Sequence, residues 1–399
     1  MQYRDNQNSG DKLSILGYGC MRLPSNNEKA EALLMQAYRS GVNYYDTAYL
    51  YPGSEETVGR FLAKNGIREN ILIATKLPHT MCHTAVDFDR YFDIQKKRLQ
   101  TGTIDYYLIH NISDLGQWER LCGLGIKDWI ANKKSQGEIS QIGFSYHGSQ
   151  KDFLALLDAY EWDFVQIQYN YINIHYQAGV EGLMRAAEKG LPVIIMEPLL
   201  GGKLATGLPK EAVRIMQQAD KDASPAGWAL RWLWNQPEVT VVLSGMNETA
   251  QLDENLQLAE HAHAGMFTQA EDQVIHDVID VFNASYKVPC TGCNYCMPCP
   301  KNINIPACFG AYNTSYAIGW MTGEMQYMNV TGIIGDNPRL AGDCIKCGQC
   351  ESRCPQHIEI RKGLTSVKRR FEFPGLKSIA QFVRKMMHKR SVKKDAANS

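Results

Sequence analysis

The chain is 399 residues long, 44% apolar and 21% charged, with 42 basic and 42 acidic side chains and no net charge. That composition excludes a disordered chain, and the length allows two or three domains around a large core. No run of about 18 apolar residues is present to span a membrane. The start, Met-Gln-Tyr-Arg-Asp, lacks the apolar stretch of an export signal, so a cytoplasmic location is expected.

Short apolar, β-branched runs recur along the first 280 residues. They read as strands at Gly17–Met21, Val42–Ala48, Ile71–Leu77, Tyr106–His110, Ile142–His147, Asp163–Asn170, Pro192–Leu199 and Thr240–Gly245. Between them fall helical patterns at Glu28–Ser40, Glu55–Asn65, Asp87–Thr101, Asp152–Tyr160, Val180–Lys189 and Pro225–Trp234. Gly41, Gly66, Gly102, Gly137 and Gly190 stand near helix ends, where a left-handed residue is favoured. Leu13–Leu16 suggests a small hairpin closing the bottom of the sheet. Eight strands alternating with helices is the arithmetic of an α/β (β/α)8 TIM barrel. An open doubly wound sheet would want a Gly-rich phosphate loop after its first strand, and none is present.

After Ser285 the pattern changes. Eight of the twelve cysteines lie in two runs, Cys290, Cys293, Cys296, Cys299 and Cys344, Cys347, Cys350, Cys354. The second run has the C-x2-C-x2-C-x3-C-P spacing of a ferredoxin cluster loop, in which three cysteines wrap one iron–sulfur cube and the fourth reaches the other. By that rule Cys290, Cys293 and Cys296 join Cys354, and Cys344, Cys347 and Cys350 join Cys299. The first run is one residue short before Cys299, so local pairing within each run is a second arrangement. Zinc held by four thiolates is a third. Cys20, Cys82, Cys122 and Cys308 lack ligand spacing and read as plain thiols. Helical patterns at Ile305–Asn313 and Ala317–Val330 separate the runs and point to a mainly α-helical ferredoxin-like domain.

Residues 361–399 carry twelve Lys or Arg against Glu372 and Asp395. Beyond Pro374, Leu376, Ile379, Ala380, Val383, Met386 and Met387 share one helical face, the pattern of a basic amphipathic helix. Such a tail suits docking to an acidic partner or a membrane surface, with nucleic acid the weaker fit. A solvated tail with no partner is the plain alternative. The expected domains are a barrel over 1–284, a two-cluster module over 285–364 and a basic tail over 365–399.

In such barrels the reacting groups sit at the C-terminal ends of strands. Those ends carry Asp46 and Tyr51, then Lys76, then His110. The set suits carbonyl reduction: a hydride arriving at carbon leaves an alkoxide that needs a proton, which Tyr51 can supply. A free phenol titrates near pH 10, so a nearby Lys76 ammonium is expected to lower its pKa. Asp46 would hold the lysine, and His110 would polarise the carbonyl. A structural Asp46–Lys76 pair and a core His110 are the plainer readings of the same residues.

Leu16-Gly-Tyr-Gly-Cys-Met-Arg-Leu-Pro24, Asp46-Thr-Ala-Tyr-Leu-Tyr51-Pro-Gly-Ser-Glu55, Ala74-Thr-Lys76 and Tyr107-Leu-Ile-His110 resemble the aldo-keto reductases over about residues 13–265. With both cysteine runs, the chain resembles the branch of that family fused to a 4Fe–4S ferredoxin domain. The resemblance implies a nicotinamide lying across the barrel mouth, its carboxamide held by Ser145 and Gln166. It places the adenosine-phosphate site at Gly245, Gln251, Glu254 and Asn255. Tyr146 replaces the usual Asn, Met196 replaces the stacking aromatic, and two cations that would meet a 2′-phosphate are missing. NADPH and NADH therefore both remain open.

Nicotinamide moves electrons in pairs and each cluster takes one, so direct exchange needs an intermediary such as a flavin. No flavin site is identifiable, which leaves an external electron-transfer flavoprotein, a flavin-like substrate, or clusters that are structural or sensory. The resulting expectation is an enzyme, a nicotinamide-dependent oxidoreductase acting on a small carbonyl or quinone-like molecule and coupled to two 4Fe–4S clusters. The alternative is a non-catalytic electron-transfer or redox-sensing protein whose barrel merely binds cofactor.

Overall fold

The computed structural model describes residues 1–317, 319–333 and 338–374. Two compact units emerge, Met1–Leu200 with Asp222–Asp272, and Gly201–Lys221 with the chain from Gln273 onward.

The first unit opens with an antiparallel hairpin, β1 (Tyr3–Asp5) and β2 (Lys12–Ser14). The barrel strands follow as β3 (Leu16–Gly19), β4 (Tyr44–Asp46), β5 (Leu72–Leu77), β6 (Ile104–Ile112), β7 (Ile139–Tyr146), β8 (Phe164–Gln168), β9 (Val193–Met196) and β10 (Val239–Ser244). They pair in parallel, and β10 returns to β3 to close the barrel. Each of the eight expected strands is present. The helices between them are α1 (Asn27–Arg39), α2 (Ser54–Asn65), α3 (Val86–Leu99), α4 (Leu115–Gly123), α5 (Ile126–Ser135), α6 (Gln150–Asp158) and α7 (Gly179–Glu188). After β9 come α8 (Lys203–Thr206) and α9 (Lys210–Ala219), which belong to the second unit, then α10 (Pro225–Trp234) and α11 (Thr249–His261) of the first, and α12 (Gln269–Ser285), most of which belongs to the second.

Inward-facing residues fill the barrel. Tyr44, Tyr106 and Phe164 meet edge to face, with centroids 5.2 and 4.9 Å apart. The hairpin plugs the bottom: Leu13 is buried in this cluster, and the Tyr106 hydroxyl donates to Asp11 (2.8 Å) and accepts from the Asn6 amide (3.1 Å). With the bottom packed, the opposite mouth is the open end of the barrel, and there the strands deliver their last residues.

Gly41, Gly66, Gly137 and Gly190 adopt positive φ as expected, but Gly102 does not. Helix α3 ends one turn earlier, with Gln100 taking the left-handed position (φ 52°) and its N–H bonding back to Lys97. An amide side chain tolerates that conformation at modest cost, so the glycine two residues on is not needed for it.

The second unit adds α13 (Ile305–Ala317), α14 (Trp320–Thr331), α15 (Gln349–Ser352) and α16 (Ile360–Phe371). They pack around Ile305, Phe309, Tyr327, Leu364, Val367 and Phe371. Helix α16 runs past residue 365 and buries Val367 and Phe371, so the first turns of the basic stretch belong to the core. The expected amphipathic helix beyond Pro374 lies outside the described residues. Among the described residues no helix is long and apolar enough to cross a membrane.

Gly59 is a sensitive point. A Cβ there would overlap the Arg98 carbonyl oxygen and come within 2.8 Å of the Leu99 backbone, so α2 and α3 approach as closely as glycine permits. Alanine's better helix propensity is worth about 1 kcal/mol, less than the cost of moving backbone. Gly59→Ala is expected to lower barrel stability by about 1–3 kcal/mol in urea unfolding; an unchanged midpoint would contradict this packing.

Candidate active site and cysteine-lined cavities

The mouth is built around a buried ion pair. Strands β4 and β5 pair with Asp46 opposite Ala74, which brings Lys76 beside Asp46. The Lys76 ammonium donates to both Asp46 oxygens (2.7 and 2.8 Å) and to the Thr47 carbonyl (2.7 Å). Both side chains are almost fully buried. Gln166 on β8 donates its Nε2 to Asp46 (3.2 Å). Burial pushes the Asp46 carboxyl up, against the opposing pull of Lys76 and Gln166.

Tyr51 follows β4 in a turn closed by its N–H to the Ala48 carbonyl (3.0 Å). Its ring lies 5.0 Å from the Lys76 ammonium and 5.8 Å from the His110 ring, edge to face. The four expected groups are therefore brought together. The expected lowering of the phenol pKa is not found. Burial first, then Asp46, Glu197 and Cys20, push the Tyr51 phenol well above its ordinary value. The physical reason is chiefly burial, which penalises the phenolate, while Lys76 directs its three hydrogen bonds to Asp46 and Thr47 rather than to the phenol. His110 is buried and driven well below its ordinary value, first by burial and then by Lys76, His147 and His79. It is a neutral imidazole at physiological pH.

Ser145, at the end of β7, is buried and accepts from the Asn111 N–H (2.8 Å), which leaves its own hydroxyl proton to donate. Gln166 Oε1 is buried without a protein partner, as are His110 Nδ1 and both amide atoms of Gln168. A nicotinamide carboxamide, one acceptor and one NH2, fits the Ser145 hydroxyl and the Gln166 oxygen. The remaining expected contacts are at the β10–α11 junction. Asn255 spends its amide on Ser244 Oγ (3.0 Å), and Gln251 accepts from the Asn247 N–H (3.0 Å). Gly245 is exposed and Glu254 half-buried, and no Lys or Arg occurs from 245 to 261.

Three features escaped the sequence reading. Glu55, quoted only as part of a motif, is buried, pairs with Arg98 (3.1 Å) and accepts from Thr75 (2.7 Å) and Gln95 (2.9 Å). Gln95 also donates to the Lys76 carbonyl (3.0 Å), so this network fixes the strand carrying the lysine. Gln168 lies two residues beyond Gln166 on β8 and hence on the same face, a signal the period of two contains. Glu197 follows β9 at a positive φ of 53°.

In the second unit the cysteines line two cavities. The first is lined by Cys290, Cys293, Cys296 and Cys354 with Ile305, Phe309 and Pro355. The second is lined by Cys299, Cys344, Cys347 and Cys350, with Cys296, Pro298 and Leu364 also at its wall. Among the described residues no three potential ligands converge on a single-ion site. Thiolates spread around an apolar cavity fit a multi-iron cluster better than one zinc, which needs all four sulfurs about 2.3 Å from one point. The lining matches the crossed sets except that Cys296 borders both cavities, and Cys299 lies at the second. Lys203 is close enough for Cys290 to act on its charge, and its ammonium lies 5.6 Å from the Tyr286 ring.

The aldo/keto reductase family model matches residues 15–272, and a 4Fe-4S dicluster domain matches residues 289–359. The chain belongs to the aldo/keto reductase family. Among curated members of that family, it is 27% identical to the aldo-keto reductase yakc [NADP(+)] of Schizosaccharomyces pombe, over 50% of this chain and 62% of that protein. It is 26% identical to the Escherichia coli protein tas, over 70% of this chain and 98% of that one. Among solved structures, the holo aldo-keto reductase AKR11C1 of Bacillus halodurans shares the fold, with a TM-score of 0.59 at 24% identity over 70% of this chain and 96% of that one. The family matches cover the barrel, and the cysteine module is an addition to it.

Two outcomes follow from the geometry. Lys76→Met strands a buried carboxylate and should cost about 3–5 kcal/mol in urea unfolding at pH 8. The loss should shrink toward pH 5, because the raised Asp46 pKa lets it take up a proton, and Asp46→Asn in the same chain should restore part of it. For the cysteines, a Cys293→Ser, Cys354→Ser double variant should keep about half the iron under crossed pairing. Local pairing would damage both clusters.

Proposed function

We propose that the barrel reduces a carbonyl or quinone-like substrate with a nicotinamide cofactor, and that the C-terminal module holds two 4Fe–4S clusters that accept the electrons singly. The observation that carries the reductase reading is Tyr51, its ring against both the Lys76 ammonium and the His110 imidazole at the mouth of the barrel. When bound, the nicotinamide supplies a hydride. The rest of the work belongs to this chain's side chains.

A neutral His110 can donate one ring N–H to the substrate oxygen and polarise it without a charged proton to lose. Tyr51, kept firmly protonated, gives its proton to the same oxygen as negative charge develops there. Lys76, held in place by Asp46, lies 5.0 Å from the Tyr51 ring. Ser145 and Gln166 hold the carboxamide. Gly245, Gln251, Glu254 and Asn255 border the adenosine end. Residues 245–261 carry no Lys or Arg, and Lys29, which reaches this junction, is paired with Glu248 (2.6 Å). That arrangement favours NADH over NADPH, since a 2′-phosphate is recognised by such cations.

The clusters support a quinone-like substrate in particular, because a semiquinone can pass electrons one at a time where an alcohol cannot. Crossed cysteine sets lining two cavities support two clusters. An external flavoprotein is the second candidate for the one-electron link. The reading places the reaction in the cytoplasm, and an acidic or membrane partner for the basic tail is kept as a further proposal.

Tyr51→Phe tests the reductase reading. Turnover with reduced nicotinamide and an ortho-quinone or aldehyde should fall by about 10²–10⁴-fold, the usual contribution of a positioned acid. Cofactor binding, followed by fluorescence titration, should be retained. Wild-type turnover in the variant would sink the assignment.

A further inference from the structure

We propose that the Glu197 carboxyl is an acid–base group of the barrel site that returns a proton to the Tyr51 phenol oxygen at each turnover. This rests on the reductase reading above.

The backbone is the first observation. Along β9, Ile194 and Met196 border the barrel interior and Ile195 packs outward. Alternation would send residue 197 outward too. Instead Glu197 adopts a φ of 53° although it is not glycine and precedes Pro198. Both facts oppose that conformation, since a residue before proline is pushed toward extended backbone. Such strain persists only where surrounding contacts impose it, and it gathers at functional sites. Here the Glu197 carbonyl is held by the Leu200 N–H (3.1 Å) and the Asn170 amide (3.2 Å).

The side chain is the second observation. The residue as a whole is half-buried, but its Oε2 is fully enclosed and has no hydrogen-bond partner in the protein. The charged and titratable groups acting on it are Arg22, which pulls its pKa down, and Tyr51, on which it acts in turn. Burial outweighs Arg22 and pushes the carboxyl up to about 7. It can therefore gain and lose a proton under working conditions, which the Tyr51 phenol and the His110 imidazole cannot easily do.

The chemistry supplies the need. A hydride from reduced nicotinamide forms the new C–H bond as the carbonyl π bond breaks, and the Tyr51 O–H proton passes to the resulting alkoxide. That leaves a buried phenolate near the Asp46 carboxylate, while Lys76 has its hydrogen bonds committed. Glu197 gives its proton to Tyr51 Oη, directly or by way of a bound water, becomes a carboxylate, and regains a proton from solvent.

The test uses the full chain with its clusters reconstituted, reduced nicotinamide and a water-soluble ortho-quinone, with kcat followed from pH 5.5 to 9. Wild-type kcat should fall as pH rises through about 7. Glu197→Gln should lose at least about tenfold in kcat at low pH, with little change in KM, and its profile should be flat through that range. Glu197→Asp, which keeps an acid, should retain part of the rate and a titrating limb. Infrared titration of the resting protein supplies a readout independent of turnover: a protonated-carboxyl band should vanish near pH 7 and be missing from Glu197→Gln. Glu197→Gln with wild-type rate and limb would overturn the proposal while leaving Tyr51 as the acid. Full activity in Tyr51→Phe would overturn the reductase reading itself, and the infrared result would show separately whether Glu197 titrates.

Discussion

The barrel site depends on one buried ion pair. Lys76 and Asp46 are nearly sealed from water, and each is the other's opposite charge at 2.7 Å. The Thr47 carbonyl and the Gln166 amide complete the arrangement. Taking two charges out of water costs several kcal/mol per ion, so such a pair holds only where geometry is tight. Tight geometry is what the Glu55–Gln95–Thr75 network provides behind β5. Burial acts most strongly on Tyr51 and His110, and this pair adds to it. His110 is kept neutral partly by the ammonium, and Tyr51 is kept protonated partly by the carboxylate.

That division changes how the phenol works in the proposed reaction. A lysine that shared its protons with Tyr51 would make a phenolate accessible near neutral pH. Here the lysine is committed, and the phenol is a strong holder of its proton until charge develops on a bound oxygen beside it. The phenolate is then a high-energy species that must be discharged, which is why a carboxyl with a pKa of about 7 in electrostatic reach is informative. Site and strain converge there: the residue with an orphaned buried oxygen also holds a costly backbone conformation.

Much of the fold was legible because its signals are local. Eight short apolar runs, with helical stretches after six of them, required only periodicity, and strand ends in a barrel necessarily face one mouth. Asp46, Tyr51, Lys76 and His110 were readable for that reason, as was the sorting of cysteines by spacing. What was not legible depends on backbone geometry or on distant partners. Glu197 sits where alternation breaks, so no period reveals it. Glu55 stands in the sequence only as a helix start within a motif, and its partners Thr75, Gln95 and Arg98 come from other strands and helices. Helices α5 and α11 went unread because their amphipathic patterns are weak. The Tyr51 pKa was misjudged because sequence shows that a lysine is near but not where its hydrogen bonds go.

The proposed account joins a two-electron site to one-electron centres, and its central claim is that a quinone-like substrate makes the exchange between them. The direct test is anaerobic: add NADH or NADPH to the reconstituted full chain and follow the visible cluster absorbance, with and without an ortho-quinone. The account predicts little bleaching by nicotinamide alone and prompt bleaching once the quinone is present. Prompt bleaching without the quinone, or none with it during turnover, would contradict the account.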